Sequence, residues 1–502
     1  MADDRPTSPA PRRALHRMTQ VVVAGWHRGR LPWLGGDAEA APPDPSPYTR
    51  SESTRYLCAA AQLDDTFRAQ VLRSTVEERH HAIAPSFGVD VQQVVKHCLV
   101  AERRDLVRDG CLTALLIALV PAVLLGPLHS RLTLTVFILA AAYVIVWSYE
   151  LTAYRTIQTR LRRGRFRPYE VTCNAEHSDV LSRVADRQKA NLIVYGSYWP
   201  FVGSGVRIDG WSFTVDIRHG KEDPSRPGCR LNPEPFRCRD LYDDVAEGIT
   251  HLGLEGVNVE DRLYIDGRGI RDDPRFIPDP FSQPSPRVDS SVVDWFVDKP
   301  TPSIRHYQCI QAVAWSGDLV VSFLVRFQKA GAHQFVEATI LLLLPIHHRY
   351  KRVDRLPHRP LWKEVIHLVP EAASSALLLT PKAPLRLIDT VRRARSAAQD
   401  ERQQKELIRL SPHYNYGARR SLREWASSDT PTHYFQVLDR QKHAKVLQAH
   451  LLDCIWQFLE EKNIDTTDPR KRGTTILNNG VIMTGGQMQA ENIAMGKDSK
   501  IE

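Results

Sequence analysis

Residues 307–346 read YQCIQAVAWSGDLVVSFLVRFQKAGAHQFVEATILLLLPI, and this stretch decides the fold of the largest region of the chain. It consists of three apolar runs rich in β-branched and aromatic residues, separated by the short segments SGD and KAGAH. Runs of this composition joined by short Gly-containing turns are typical of β-hairpins. We therefore predict a three-stranded antiparallel meander here.

Working outward from the meander, residues 171–360 alternate helical and strand patterns, which predicts an α+β domain. Seven regions follow from composition and periodicity. They are a disordered, basic and Pro-rich N-terminus (1–52), a helical segment (53–109), an apolar hairpin (110–150), a basic juxtamembrane segment (151–170), the α+β domain (171–360), a second helical segment (361–463), and a linker with a short β-like tail (464–502).

Two uncharged runs precede the α+β domain. They are CLTALLIALVPAVLLGPL, Cys111 to Leu128, and LTLTVFILAAAYVIVWSY, Leu132 to Tyr149. As a helix, each run is roughly 27 Å long at about 1.5 Å per residue, close to the hydrocarbon thickness of a bilayer. The predicted fold class is therefore a membrane protein with a two-helix transmembrane hairpin and an α+β cytoplasmic domain. The alternative is a buried helical hairpin of a soluble protein.

Arginines on both flanks orient this predicted hairpin. The cluster that follows the second run is the densest, and its members are Arg160, Arg162, Arg163, Arg165 and Arg167. By the positive-inside rule, both large flanks and both termini face the cytoplasm of a multi-pass inner-membrane protein. The net charge of +9 is then explained by contact with the bilayer and its anionic lipid headgroups, which makes nucleic acid an unlikely partner.

The sequence shows no pattern with the spacing of a catalytic or metal site. Its eight cysteines are scattered singly without a CxxC pair, which indicates free thiols in a reducing compartment. A Cys229–Cys238 bridge is the alternative if the loop is secreted. No GxSxG or HExxH motif occurs, so the sequence favours a non-catalytic protein with no cofactor.

The most unusual stretch of the α+β region is YGSYWPFVGSGVRIDGWSF, Tyr195 to Phe213. It lacks the lysine of a phosphate-binding loop, and its Gly-Ser-Gly opens a strand rather than a helix, so neither nucleotide motif holds. Two interpretations stay open: a glycine-permitted turn packed by aromatic rings, and a small-molecule pocket. The candidate pocket residues are Tyr198, Trp199, Gly203, Gly205 and Trp211.

From Tyr56 to about Pro360, the chain resembles a group of two-span membrane proteins abundant in actinobacteria. The resemblance is carried by RYLCAAAQLDD, APSFGVD, YGSYWPFVGSG with GWSF, and RHYQCIQAVAW. It implies a two-span topology and no assigned activity.

The C-terminal tail is punctuated by Asn-Gly and Gly-Gly between apolar residues, which indicates a short β-hairpin or a stacking segment. It resembles bacterial amyloid-signalling motifs related to the RIP homotypic interaction motif. Ile493, Met495 and Gly496 match that core, whereas Ala494 and Ser499 replace its Gln and Asn. The predicted interaction residues are Asn478, Gly480, Val481, Met483, Gly485, Gly486, Ile493, Met495 and Gly496.

These patterns support two hypotheses for function. The first is a non-catalytic membrane protein that acts as a scaffold or signalling component at the cytoplasmic face and binds a protein partner, or itself, through the tail. The second is a membrane-tethered enzyme or ligand sensor that uses the aromatic and glycine-rich residues 195–213.

Overall fold

The computed structural model describes residues 46–125, 128–171, 173, 177–357 and 361–478. A six-stranded mixed sheet forms the centre of the fold. Its strands are β1 (Leu192–Tyr195), β2 (Val206–Asp216), β3 (Val257–Asp266), β4 (Ile304–Ala314), β5 (Leu319–Ala330) and β6 (His333–Leu343). Their spatial order is β1-β3-β4-β5-β6-β2. β1 and β3 are parallel, and each other neighbouring pair is antiparallel, so the predicted meander is present as β4, β5 and β6.

Two tight turns close the meander. Between β4 and β5, Ser316 and Gly317 both have positive φ, at 51° and 88°. Between β5 and β6, Gly331 has a φ of 60°. A left-handed backbone costs least at glycine, so the two glycines of the quoted stretch permit these turns. The turns fix a register in which Val320 is opposite Leu343.

Eleven helices accompany the sheet in the described part of the chain. They are α1 (Glu52–Leu63), α2 (Asp65–Leu72), α3 (Val91–Leu125), α4 (Leu128–Thr156), α5 (Ser178–Gln188), α6 (Cys238–His251), α7 (Ser290–Asp298), α8 (Leu361–Leu410), α9 (Leu422–Trp425), α10 (Tyr434–Glu461) and α11 (Thr467–Asn478).

The largest hydrophobic core lies between one face of the sheet and the helices α6 and α10. Leu451 and Ile455 of α10 and Leu241 of α6 are completely buried there, together with Phe323 of β5. Burying a large apolar side chain contributes about 1.5–3 kcal/mol, so this layer accounts for much of the stability. The opposite face is covered in part by Phe87 and in part by Phe201.

A second core is formed by α1, α2 and the N-terminal half of α3. Its central ring is Phe67, which contacts Tyr350 and Trp425 at centroid distances of 5.0 and 5.4 Å. The fully buried Arg55 donates to the carbonyl oxygen of Leu161 and pairs with Asp354 at 2.8 Å. These contacts join the end of α4 and its following segment to the body of the protein.

The predicted fold class, with its two-helix transmembrane hairpin, is wrong. Among the described residues, one helix is long and apolar enough to cross a membrane. It runs from Arg131 to Leu161 and consists of most of α4 and the π-helical turn Ile157–Leu161 that continues it. The first apolar run is instead the end of α3, a 35-residue helix whose N-terminal half is packed in the second core. The described part of α3 ends at Leu125. The chain forms a mixed sheet with surrounding helices, an α+β fold.

α8 is a feature that the sequence indicated only as part of a helical segment. It is a single helix of 50 residues that contains Pro370, Pro381 and Pro384. Its first half packs on both α3 and α4, where Ala376 and Ala383 are buried beside Leu112 and Ala142. The small alanine side chains allow this close helix–helix approach.

The chain after α10 also differs from the predicted linker. Residues 467–478 form α11, and Gly473 lies so close to the Trp456 ring that an added Cβ would be 3.1 Å from it. Asn478 is the last residue of this helix rather than part of a β-like tail. The remaining predicted interaction residues, from Gly480 to Gly496, lie outside the described residues.

Candidate functional site

The glycine-rich loop between β1 and β2 contains two glycines with left-handed backbone. Gly203 and Gly205 have φ values of 93° and 88°. An added Cβ would lie 2.4 Å from the carbonyl oxygen of Pro85 at position 203, and 2.2 Å from that of Leu342 at position 205. Both positions therefore require glycine for two reasons, the backbone conformation and the close approach of another backbone.

The amide groups of this loop bind a carboxylate from the same chain. Gly203 and Gly205 donate their N–H groups to Oε1 of Glu424 at 2.7 and 3.0 Å. The N–H of Ser421 donates to Oε2 at 3.1 Å. Backbone N–H groups that converge on one point can bind an anion. In this chain the anion is the carboxylate of Glu424.

The segment that carries Glu424 is itself fixed by a buried cation. Arg423 is completely buried and donates to the carbonyl oxygens of Asp318 at 3.1 Å and Leu344 at 2.8 Å. Burial lowers the pKa of Arg423 to about 10, against the opposing effect of Asp318 and Glu424, so the guanidinium stays charged at neutral pH. The sequence analysis did not identify Arg423 and Glu424, although Ser421 and Glu424 have the spacing of a helix capping box.

The predicted pocket residues do not converge on one cavity. Tyr198 is fully exposed, and Trp199 packs edge-on against Phe201 at 5.2 Å. Trp211 stacks on Phe213 at 5.5 Å, within the core that α6 and α10 cover. Trp199 and Trp211 therefore lie on opposite faces of the sheet.

The face that carries Trp199 holds a cluster of aromatic and charged side chains that the sequence analysis did not identify. The rings of Phe201, Tyr264 and Tyr307 contact one another edge-on at 5.1–5.6 Å. Tyr307 donates its hydroxyl to Oε1 of Glu337 at 3.0 Å, and Arg326 lies 3.6 Å from Oε2. Burial, with the nearby Glu337 carboxylate, raises the pKa of Tyr307 to about 12. Only the strand register brings these residues together.

A second buried polar pair lies between β3 and β4. Nε2 of His306 is 3.0 Å from Oδ1 of Asp261, and Arg239 donates to Oδ2 at 2.8 Å. Burial opposes ionisation of Asp261, but His306 and Arg239 outweigh it and lower the pKa of the carboxyl group. The ring of Tyr242 covers the His306 ring edge-on at 4.5 Å. These contacts make Asp261 and His306 part of the packing between α6 and the sheet.

The cysteines are all free thiols, and Cys309 is fully buried on β4. Burial raises the pKa of Cys309 to about 12, so its nucleophilic thiolate form is scarce at neutral pH. No group of three His, Cys, Asp or Glu side chains has the geometry of a metal site within the described residues.

The predicted basic residues lie in the π-helical turn Ile157–Leu161 and in the loop that follows it. Arg162 donates to Gln158, and Arg160 and Arg167 are 3.7 and 2.7 Å from Glu170. Arg163 and Arg165 are exposed. These basic residues therefore lie at the C-terminal end of the helix Arg131–Leu161. Only 17% of the most apolar stretch of this helix is buried inside the chain.

A protein-family model described as the AbeC-like domain matches residues 210–489. The match starts in β2, includes β3 to β6 and the helices α6 to α11, and excludes α3, α4 and the glycines at 203 and 205. No curated protein and no solved structure matches the chain. Because the match covers more than half of its residues, this chain belongs to the AbeC-like domain family.

Proposed function

We propose that this protein is a non-catalytic interaction protein that α4 holds at the cytoplasmic face of a membrane. The observation that carries the proposal is the low burial of α4. Only 17% of its most apolar stretch is buried by the rest of the chain. A surface of this kind needs an apolar partner, because large exposed apolar patches mark sites of protein or membrane contact.

The exposed side chains of α4 are large and aliphatic or aromatic. Their exposed fractions are 63% for Leu132, 66% for Val136, 69% for Phe137, 51% for Leu139 and 54% for Val144. The free energy of transfer of such a side chain from water to an apolar phase is favourable by about 1.5–3 kcal/mol when burial is complete. Several of them together provide a strong force for insertion into lipid.

The surroundings of α4 favour lipid over a protein partner. Trp147 and Tyr154 lie near its C-terminal end, and the exposed Arg163 and Arg165 follow immediately. Aromatic residues followed by basic residues are typical of a membrane–water interface with anionic headgroups. The same arginines favour a cytoplasmic position for the region that follows α4.

The C-terminal residues after Asn478 supply the interaction part of the proposal. Their Asn-Gly and Gly-Gly turns and alternating apolar residues favour strand addition to a partner or to a second copy of the tail. Attachment to a membrane would raise the local concentration of such tails and favour their association.

The membrane part is tested by extracting membranes with alkaline carbonate. The wild-type protein should stay in the pellet, and a Val136→Asp, Phe137→Asp variant should be released in larger part, because two charges at the apolar centre of α4 oppose insertion. A matched control, Leu407→Asp with Leu410→Asp, changes two exposed leucines at the far end of α8 and should behave as wild type. Release of the wild-type protein into the supernatant would contradict the proposal.

A further inference from the structure

The first half of α8 presents two different apolar stripes. One stripe is buried against α3 and α4 and consists of Leu368, Ala372, Ala376 and Ala383. The other is exposed to the surroundings although its residues are large. Its exposed fractions are 62% for Ile366, 45% for Val369, 74% for Leu377, 62% for Leu378, 60% for Leu385 and 46% for Ile388.

The second half of the same helix does not continue this exposed stripe. From Arg392 to Glu406 the exposed side chains are charged, amide, serine or alanine. The change occurs inside one uninterrupted helix, so it reflects a change of surroundings along the helix rather than a break in structure. Two exposed leucines, Leu407 and Leu410, follow only at the end of the helix. The extended apolar stripe on the first half indicates that this half faces an apolar phase.

Two side-chain contacts connect α8 to the α3–α4 pair. Tyr143 of α4 donates its hydroxyl to the carbonyl oxygen of Val369 at 3.1 Å, and Arg386 lies 3.8 Å from Asp109 of α3. Val369 and Arg386 are about 25 Å apart along α8 at ~1.5 Å per residue. Asp109 and the ring of Tyr149 are both contacted by Arg108.

Because Tyr143 and Tyr149 are only about 9 Å apart along α4, the two contacts of α8 lie at similar heights on the pair. α8 therefore packs on both helices of the pair, with Arg386 beside the charged residues Arg108 and Asp109 of α3. If α4 enters a bilayer, these charged residues and the adjoining part of α8 lie near the plane of the headgroups.

We propose that residues 366–388 of α8 form an interfacial helix that binds the surface of an anionic lipid bilayer. This inference rests on the proposed membrane function of α4 and names a second lipid-binding element. The exposed aliphatic stripe enters the boundary of the acyl chains, as in amphipathic helices that lie on membranes. The exposed Lys382, and Arg392, Arg393 and Arg395 beyond the stripe, match the charge of anionic headgroups.

The test uses the full-length protein in vesicles of phosphatidylcholine and phosphatidylglycerol, with the photoreactive residue p-benzoylphenylalanine at one position at a time. Leu378 probes the stripe, Phe137 reports on α4, and the exposed Gln403 is the control on the second half of α8. After illumination, mass spectrometry detects lipid attached to the protein. We expect lipid attachment at Leu378 and Phe137, several-fold above the level at Gln403.

Each other outcome has a distinct meaning. Lipid attachment at Phe137 without attachment at Leu378 would overturn the interfacial role of α8 and leave the proposed function of α4 intact. Crosslinks from Leu378 to a second copy of the chain would also overturn it, because they would make the stripe a protein interface. Lipid at neither position would overturn the membrane function itself.

Discussion

At the scale of single residues, Glu424 explains the glycine-rich loop better than any ligand. Two amide groups of the loop, from Gly203 and Gly205, bind this carboxylate, and the amide of Ser421 at the start of α9 binds it as well. The interaction joins residues more than 200 positions apart in the sequence. The loop therefore holds the segment around α9 against the sheet.

Replacement of Glu424 by Ala should lower the free energy of unfolding by about 2–4 kcal/mol, because partly buried N–H donors lose their acceptor. Glu424→Gln keeps an oxygen for Gly203 and Gly205 and should cost only about 1 kcal/mol. Chemical denaturation in detergent measures both values. Equal losses for the two variants would show that the acceptor oxygen is not what stabilises the loop.

The Glu78–His81 pair predicts a pH dependence of stability. His81 Nδ1 is 3.1 Å from Oε1 of Glu78. Burial of Glu78 opposes ionisation, but His81 and two backbone amides outweigh it and lower the pKa of Glu78 from 4.5 to about 2. The folded-state pKa is depressed, so the contribution is present above pH 4.5 and is lost as the pH falls towards 2.

Glu78→Gln should therefore lower stability by about 1–2 kcal/mol at pH 6, with allowance for solvent screening, and the deficit should shrink between pH 4.5 and 2. Thermal unfolding of both proteins across this pH range measures the difference. A deficit that stays constant with pH would mean that the charge of Glu78 does not contribute.

At the scale of elements, α10 is the helix on which the main core depends. Its buried stripe includes Leu447, Leu451, Ile455 and Leu459, all 1% exposed or less. Near the start of the same helix, Tyr434, Phe435 and Leu438 are exposed. The sequence predicts only a helical segment over 361–463, and the structure shows that the sheet and α6 are the packing partners of α10.

Leu451→Ala should reduce the free energy of unfolding by about 2–5 kcal/mol, because it removes buried surface and leaves a cavity beneath the sheet. Leu438→Ala on the same helix, where the side chain is 40% exposed, should cost less than about 1 kcal/mol. Denaturant titration compares the two. Similar losses would indicate that α10 is not packed on the sheet as described.

At the scale of the whole molecule, the described part of the chain ends with a packed helix, α11. α11 packs on α10 through the contact of Gly473 with Trp456, a ring that is 4% exposed. The sequence predicts a linker and a β-like tail over 464–502, whereas residues 467–478 of that region form α11.

Truncation after Asn478 should leave the unfolding temperature unchanged, because an isolated two-stranded hairpin adds little stability in water. Truncation after Thr466 removes α11 and should cost about 1–2 kcal/mol as Trp456 becomes exposed. Both truncations should abolish association, measured by light scattering of the detergent-solubilised protein. Persistent association after removal of residues 479–502 would place the interaction site in the body.

The sequence by itself determined the elements that local patterns encode. The meander followed from three apolar runs and from the turns at Gly317 and Gly331, and the apolar centre of α4 followed from the uncharged run Leu132 to Tyr149. These features depend on periodicity and backbone propensity over a few neighbouring residues.

Only the tertiary structure decided how these elements combine. It placed Trp199 and Trp211 on opposite faces of the sheet and brought Glu424 to the glycine loop. It also packed α8 against α3 and α4. Each of these outcomes depends on contacts between residues far apart in the chain, and such contacts leave no mark in the local pattern of either partner.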